Sequence, residues 1–160
     1  MNYFKISLGI FIALAASRFF PHPPNFTSLI ALSFYVPTIL GRKYIPAILL
    51  SFILTDIFIG FHSTIFFTWG SVLIVCLISK YFFSTILSRI SGALFGASIF
   101  YFITNFGVWT GGMYGYTLEG LFTAYLLGLP FFGYSLISTF IFSTIIETII
   151  KFFGLNLKTN

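Results

Sequence analysis

Apolar residues run along this chain in successive long blocks, separated by short polar, basic or helix-breaking segments. Seven stretches approach the ~20 helical residues needed to cross ~30 Å of hydrocarbon, namely 3–20, 26–40, 44–60, 64–87, 90–109, 116–129 and 131–153. The breaks are Pro21-His22-Pro23-Pro24-Asn25, Gly41-Arg42-Lys43, Gly60-Phe61-His62, Ser88-Arg89, the glycine-rich 110–115 and Pro130. The sixth stretch spans only 14 residues, 116–129, which suits a re-entrant or interfacial helix better than a crossing. The pattern therefore predicts an all-α integral membrane protein: a bundle of about six transmembrane helices plus one short re-entrant or interfacial helix, in a single domain over 1–160.

Composition removes the soluble alternatives. Of 160 residues, 58% are hydrophobic and 7% charged, with a mean hydropathy of +1.04, whereas about a quarter of residues are charged in soluble domains. Successive apolar blocks, with no cleavage site of small residues after the first, exclude one signal peptide ahead of a soluble domain. A lone cysteine, Cys76, excludes an internal disulfide and reads as packing. The net charge of +5 would suggest nucleic acid in a soluble protein, but here the basic residues sit at the ends of apolar runs. With six crossings and a cytoplasmic amino terminus, Lys5, Arg42, Lys43, Arg89, Lys151 and Lys158 face the cytoplasm, and Lys80 lies toward the inner end of its helix. Only Arg18 falls outside. The positive-inside rule thus predicts a multi-pass membrane protein with both termini in the cytoplasm.

That topology gathers the remaining polar and aromatic residues at the outer face: Arg18, His22, Asn25, Asp56, His62, Trp69, Asn105, Trp109, Tyr116 and Glu119. An ionisable group at membrane depth costs roughly 2.5 to 3.5 kcal/mol on insertion scales, so such groups face a bundle interior or a wet cavity. Arg18, Asp56 and Glu119 are therefore expected to meet. One reading is a pocket opening outward for a small molecule, gated by the proline-rich and glycine-rich loops. One positive against two negative groups then favours a neutral, zwitterionic or cationic ligand. The rival reading is an ion-pair clasp in a structural or assembly protein of the membrane. Glu147 and Lys151 stand four residues apart in the favourable order and are expected to satisfy each other. Gly9, Ala13 and Ser17 form a small-residue stripe suited to close packing of another helix, within the chain or in a partner.

Other chemistries find no pattern here. His22, His62 and Asp56 could converge, but no metal-ligand spacing accompanies them. The sequence carries no GxSxG, Walker loop or dinucleotide fingerprint, and Asp56 with His62 is the single acid–base pairing an intramembrane enzyme could use. Neither an enzyme nor a cofactor is expected.

Further runs point to a family. They are Ser17-Arg18-Phe19-Phe20-Pro21-His22-Pro23-Pro24-Asn25-Phe26-Thr27, Leu54-Thr55-Asp56 with Gly60-Phe61-His62, Thr104-Asn105-Phe106-Gly107-Val108-Trp109, and Tyr116-Thr117-Leu118-Glu119-Gly120-Leu121 through Leu129-Pro130-Phe131-Phe132. Over nearly its whole length the chain resembles a family of small bacterial membrane proteins of uncharacterised role. That family in turn is similar, in size, six-helix layout and outer-loop placement, to the substrate-binding S components of energy-coupling-factor (ECF) vitamin transporters. The resemblance implies capture of a vitamin-like molecule from outside, with energy from an ECF transmembrane coupling protein and ATPases. It also implies a helix 1 stripe that touches the coupling protein. Gly9, Ala13 and Ser17 share that stripe's character without its usual pair of alanines.

Overall fold

The computed structural model describes residues 3–154. Lys158 and the two chain ends lie outside the described residues, as does their predicted cytoplasmic placement. Six helices follow one another: α1 (Tyr3–Phe19), α2 (Leu29–Leu40), α3 (Ile45–Ile59), α4 (Ile65–Ile78), α5 (Ile86–Thr110) and α6 (Leu118–Phe153). Short 3-10 turns, Arg42–Tyr44 and Ser79–Tyr81, join α2 to α3 and extend α4. Among the described residues there is no strand. Two helices, α5 and α6, are long and apolar enough to cross a membrane by length and composition.

Successive helices run antiparallel. Tyr3, at the start of α1, stacks on Tyr44 beside the start of α3, whereas Arg18 and Asp56 meet where both helices end. The links α1–α2, α3–α4 and α5–α6 thus share one end of the bundle. At the centre sits α2, nine of whose twelve residues are buried. Its neighbours approach closely because α5 presents glycines to them: a Cβ on Gly92 would strike Phe82 and Phe34, and one on Gly96 would crowd Val75.

Two expectations about the elements need correction. The stretches 116–129 and 131–153 are one helix of 36 residues, α6, with Pro130 inside it, and no separate re-entrant helix forms. Proline removes one ladder bond and costs about 3 kcal/mol, but long runs on both sides and aromatic packing on α5 outweigh it. The Tyr101 ring stacks on Phe132 at 4.5 Å between centroids, and Tyr101 and Tyr125 donate to the backbone carbonyls of Tyr125 and Phe102. The second correction concerns Ser88-Arg89, which interrupts nothing. Thr85 caps α5 by accepting from the Ser88 N–H, and Arg89 lies buried within the helix.

What buries Arg89 is Glu147. Arg89 Nε and Nη2 donate to the two carboxylate oxygens at 2.6 and 2.7 Å. Tyr35 Oη adds a third bond at 2.9 Å, and Arg89 Nη1 donates to the Phe83 carbonyl at 3.0 Å. The expected Glu147–Lys151 pair therefore does not form: a buried carboxylate is stabilised far more by a bidentate guanidinium than by an exposed lysine. The cluster ties α2, α5 and α6 together. Removing one partner of a buried pair costs about 3–5 kcal/mol, so Glu147→Leu should destabilise the fold by about that much. The double change Glu147→Leu with Arg89→Met should recover most of the loss, measured by denaturing-detergent titration of the protein in micelles.

Candidate functional site

At the opposite end of the bundle from that cluster, α3 ends where Gly60, at a positive φ of 112°, turns the chain and donates its N–H to the Asp56 carbonyl. Asp56 is thereby held in the last turn with its side chain inward, 1% exposed. Arg18 Nη2, from the last turn of α1, donates to Asp56 Oδ1 at 2.6 Å. Trp69 Nε1, from the start of α4, donates to Oδ2 at 2.8 Å. Arg18 Nη1 also donates to Thr55 Oγ1 at 2.7 Å, and the guanidinium lies 4.6 Å from the centroid of the Phe52 ring. Three helices thus meet on one carboxylate.

Above this cluster a cavity of about 260 Å³ opens, slightly under the ~300 Å³ at which ordinary small-molecule sites begin. Arg18, His22, Asn25 and His62 contribute polar walls, and Leu29, Ile30, Phe52, Ile59 and Phe100 an apolar floor. The segment between α1 and α2 is shaped to reach it. Asn25 adopts φ 62°, the left-handed region that asparagine tolerates best among non-glycine residues. Its carbonyl receives Ser138 Oγ of α6 at 3.4 Å. The His22 ring nitrogens lie 2.7 Å from the Pro23 carbonyl and 3.2 Å from the Arg18 carbonyl. His62 Nδ1 lies 3.0 Å from Thr64 Oγ1.

Of the ten residues expected at the site, six come together here: Arg18, His22, Asn25 and His62 on the wall, with Asp56 and Trp69 behind Arg18. Asn105 stands beside this group in a narrow crevice that also borders Asn25, its amide donating to the Tyr101 carbonyl and packing on Gly128. Three do not join. Glu119 is exposed in the first turn of α6, where the helix dipole favours an anion, so it meets neither Arg18 nor Asp56. Trp109 donates to the Thr117 carbonyl, and Tyr116 packs over Gly112, so both rings brace the α5–α6 link. The stripe on α1 divides as well. Gly9 and Ala13 are exposed, whereas Ser17 bonds Ser28 Oγ at 2.7 Å and belongs to internal packing. Among the described residues no group of three or more histidines, cysteines or carboxylates is placed to hold a metal ion.

Residues unmarked in the sequence also contribute. Phe52 precedes Asp56 by four positions, so helical spacing alone places it on the Asp56 side of α3, whereas adjacent Thr55 has no such spacing and is identified by its bond to Arg18. Ser135 and Phe100, from α6 and α5, carry no local signal.

The model of a family of unknown function, DUF6580, matches residues 2–158. No curated protein and no solved structure matches the chain.

Leaving a buried acceptor unpaired costs about 1–3 kcal/mol. Trp69→Phe should therefore lower stability by about that amount, whereas Trp109→Phe, whose lost bond is exposed, should cost under about 1 kcal/mol. Thermal unfolding of the two variants side by side checks the difference.

Proposed function

We propose that this chain, which belongs to the family of unknown function DUF6580, is an integral membrane protein that captures a small molecule in its polar-walled cavity for uptake. The membrane half of this reading rests on the exterior. Phe66 is 77% exposed, Leu87 76% and Phe122 74%, on three different helices, a surface that water penalises and lipid tails do not. The 36-residue α6 is about 54 Å long at 1.5 Å per residue, enough to cross hydrocarbon and project beyond it. The distribution of charge supports the orientation. Lys5, Arg42, Lys43, Lys80, Arg89 and Lys151 belong to the end opposite the cavity, leaving Arg18 as the cavity end's basic residue among those described. On the positive-inside rule the cavity faces outward and the other end the cytoplasm.

The observation that carries the transport half is the cavity itself, polar on its walls and apolar on its floor, opening beside a buried ion pair. A pair that only clasped helices would be expected to close the space around it. Size and six-helix layout further support an ECF-type substrate-binding subunit, with a vitamin-like ligand and energy from a separate coupling protein and ATPases. On that reading exposed Gly9 and Ala13, rather than the whole stripe, would face the partner.

Topology is read directly by cysteine labelling, because Cys76, the sole cysteine, is 1% exposed and stays silent. An impermeant maleimide should label Ser63→Cys in intact cells and Lys43→Cys only after permeabilisation. The reverse pattern would overturn the orientation. For capture, native mass spectrometry of the purified protein should show a bound small molecule that is lost from Asn25→Ala and His62→Ala variants that remain folded. A bare wild-type protein, or unchanged occupancy in both variants, would remove the transport reading.

A further inference from the structure

Among the described residues two arginine–carboxylate pairs exist, one buried throughout and one with its arginine 13% exposed, and they are built differently. Arg89 is closed: Nε and Nη2 take both oxygens of Glu147, and Nη1 takes the Phe83 carbonyl. Arg18 is not closed in the same way: it reaches one Asp56 oxygen, and Trp69 donates to the other. It spends Nη2 on Asp56 Oδ1 and Nη1 on Thr55 Oγ1, with a longer 3.5 Å contact to the Phe52 carbonyl. A guanidinium has five N–H donors in a fixed fork. The Nε–H and the second Nη2 hydrogen of Arg18 therefore have no protein acceptor among the described residues. Arg18 lines the cavity and Asp56 does not.

We propose, on the reading that this cavity is a ligand site, that the ligand turns a carboxylate or carbonyl oxygen toward the open edge of Arg18 and lays an apolar body over Phe52, Ile30 and Phe100. An ammonium is rejected. This reverses the charge preference drawn from the sequence, which counted Glu119 among the site residues. With Glu119 elsewhere, no carboxylate lines the cavity, and the one formal charge on its wall is positive. The floor acts in the same direction. Leu29 and Ile30 are the first residues of α2, and Ser28 Oγ is engaged by Ser17 instead of capping that helix; Thr27 Oγ1 accepts from the Leu29 N–H at 3.4 Å, and the N-terminal N–H groups beyond it add a partial positive charge beneath the cavity. An oxygen acceptor would satisfy donors that the fold leaves open. An ammonium would face a guanidinium and the positive end of a helix together, a like-charge placement costing enough to discriminate between ligands.

The two tryptophans supply the assay. Trp109→Phe leaves Trp69, bonded to the carboxylate that holds Arg18, as the single indole reporter. Benzoate, benzamide and benzylamine share a phenyl body and differ in head group, and each is titrated into the full chain in detergent while Trp69 emission is followed. Benzoate and benzamide should give saturable changes, with benzylamine at least about tenfold weaker, a difference of about 1.4 kcal/mol. The double variant Arg18→Gln with Asp56→Asn replaces the ion pair by a neutral hydrogen-bonding pair, and circular dichroism checks that it folds. In it the preference should fall several-fold, to what the α2 N-terminus alone supplies. Benzylamine binding as tightly as benzoate to the wild-type site, or a preference undiminished by the double change, overturns the proposal and leaves the cavity reading standing. If none of the three saturates, the mass spectrum of an extract of the purified protein decides. A bound molecule with an acidic or carbonyl group supports the proposal, one with an amine alone overturns it, and no bound molecule removes the cavity reading as well.

Discussion

The Asp56 carboxylate is the group on which this end of the molecule depends. Placing a carboxylate in a low-dielectric interior costs several kcal/mol even after relaxation. Its two oxygens are therefore satisfied separately, one by Arg18 from α1 and one by Trp69 from α4. Those two bonds hold the end of α1, the end of α3 and the start of α4 against one another beside the cavity. With a single Nη2 bond to Asp56 and the indole on the other oxygen, the arginine is held in place without being used up.

The second buried carboxylate, Glu147, organises the other three helices. Arg18, Asp56 and Trp69 belong to α1, α3 and α4, while Tyr35, Arg89 and Glu147 belong to α2, α5 and α6. Each helix contributes one residue to one polar cluster, and the clusters stand at opposite ends of the bundle. Between the two groups of three helices the contacts include apolar packing, such as Gly96 on Val75 and Gly107 on Phe67. The cavity lies on that seam. Its lining draws on Phe52, His62 and Thr68 from one group and its links, and on Ile30, Phe100 and Ser135 from the other.

Much of this was legible in the chain because hydrophobic blocks and their breaks are local. Five of the six helices fall within predicted stretches apart from their ends, and α3 and α4 separate at Gly60 as expected. The meeting of Arg18 with Asp56 followed from the cost of isolated charge. Two failures share one cause, a partner distant in sequence. Glu147 was assigned to Lys151 by the four-residue rule, but its partner Arg89 stands 58 positions away. For the same reason Arg89 read as a break between helices when it is an interior residue whose charge is compensated. Glu119, Trp109 and Tyr116 were grouped with the site by their end of the bundle alone. Helix-terminal electrostatics and the packing of a glycine-rich link hold them elsewhere.

Why a cavity exists at all follows from helix length. The central helix α2 has 12 residues, about 18 Å at 1.5 Å per residue, roughly half the length of α5 beside it. It begins only at Leu29, after a segment in which Pro21, Pro23 and Pro24 cannot supply the backbone N–H groups a helix would need there. The longer helices α5 and α6 continue past that point, so the middle of the bundle is left without a helix at one end. Asn25, in its left-handed turn, and His22 bring the incoming segment across the gap without filling it. Extending α2 by a turn would place side chains where the cavity now lies and would carry its N-terminal dipole away from Arg18. The proline-rich link, by starting the central helix late, therefore creates both the space and the helix N-terminus beneath it.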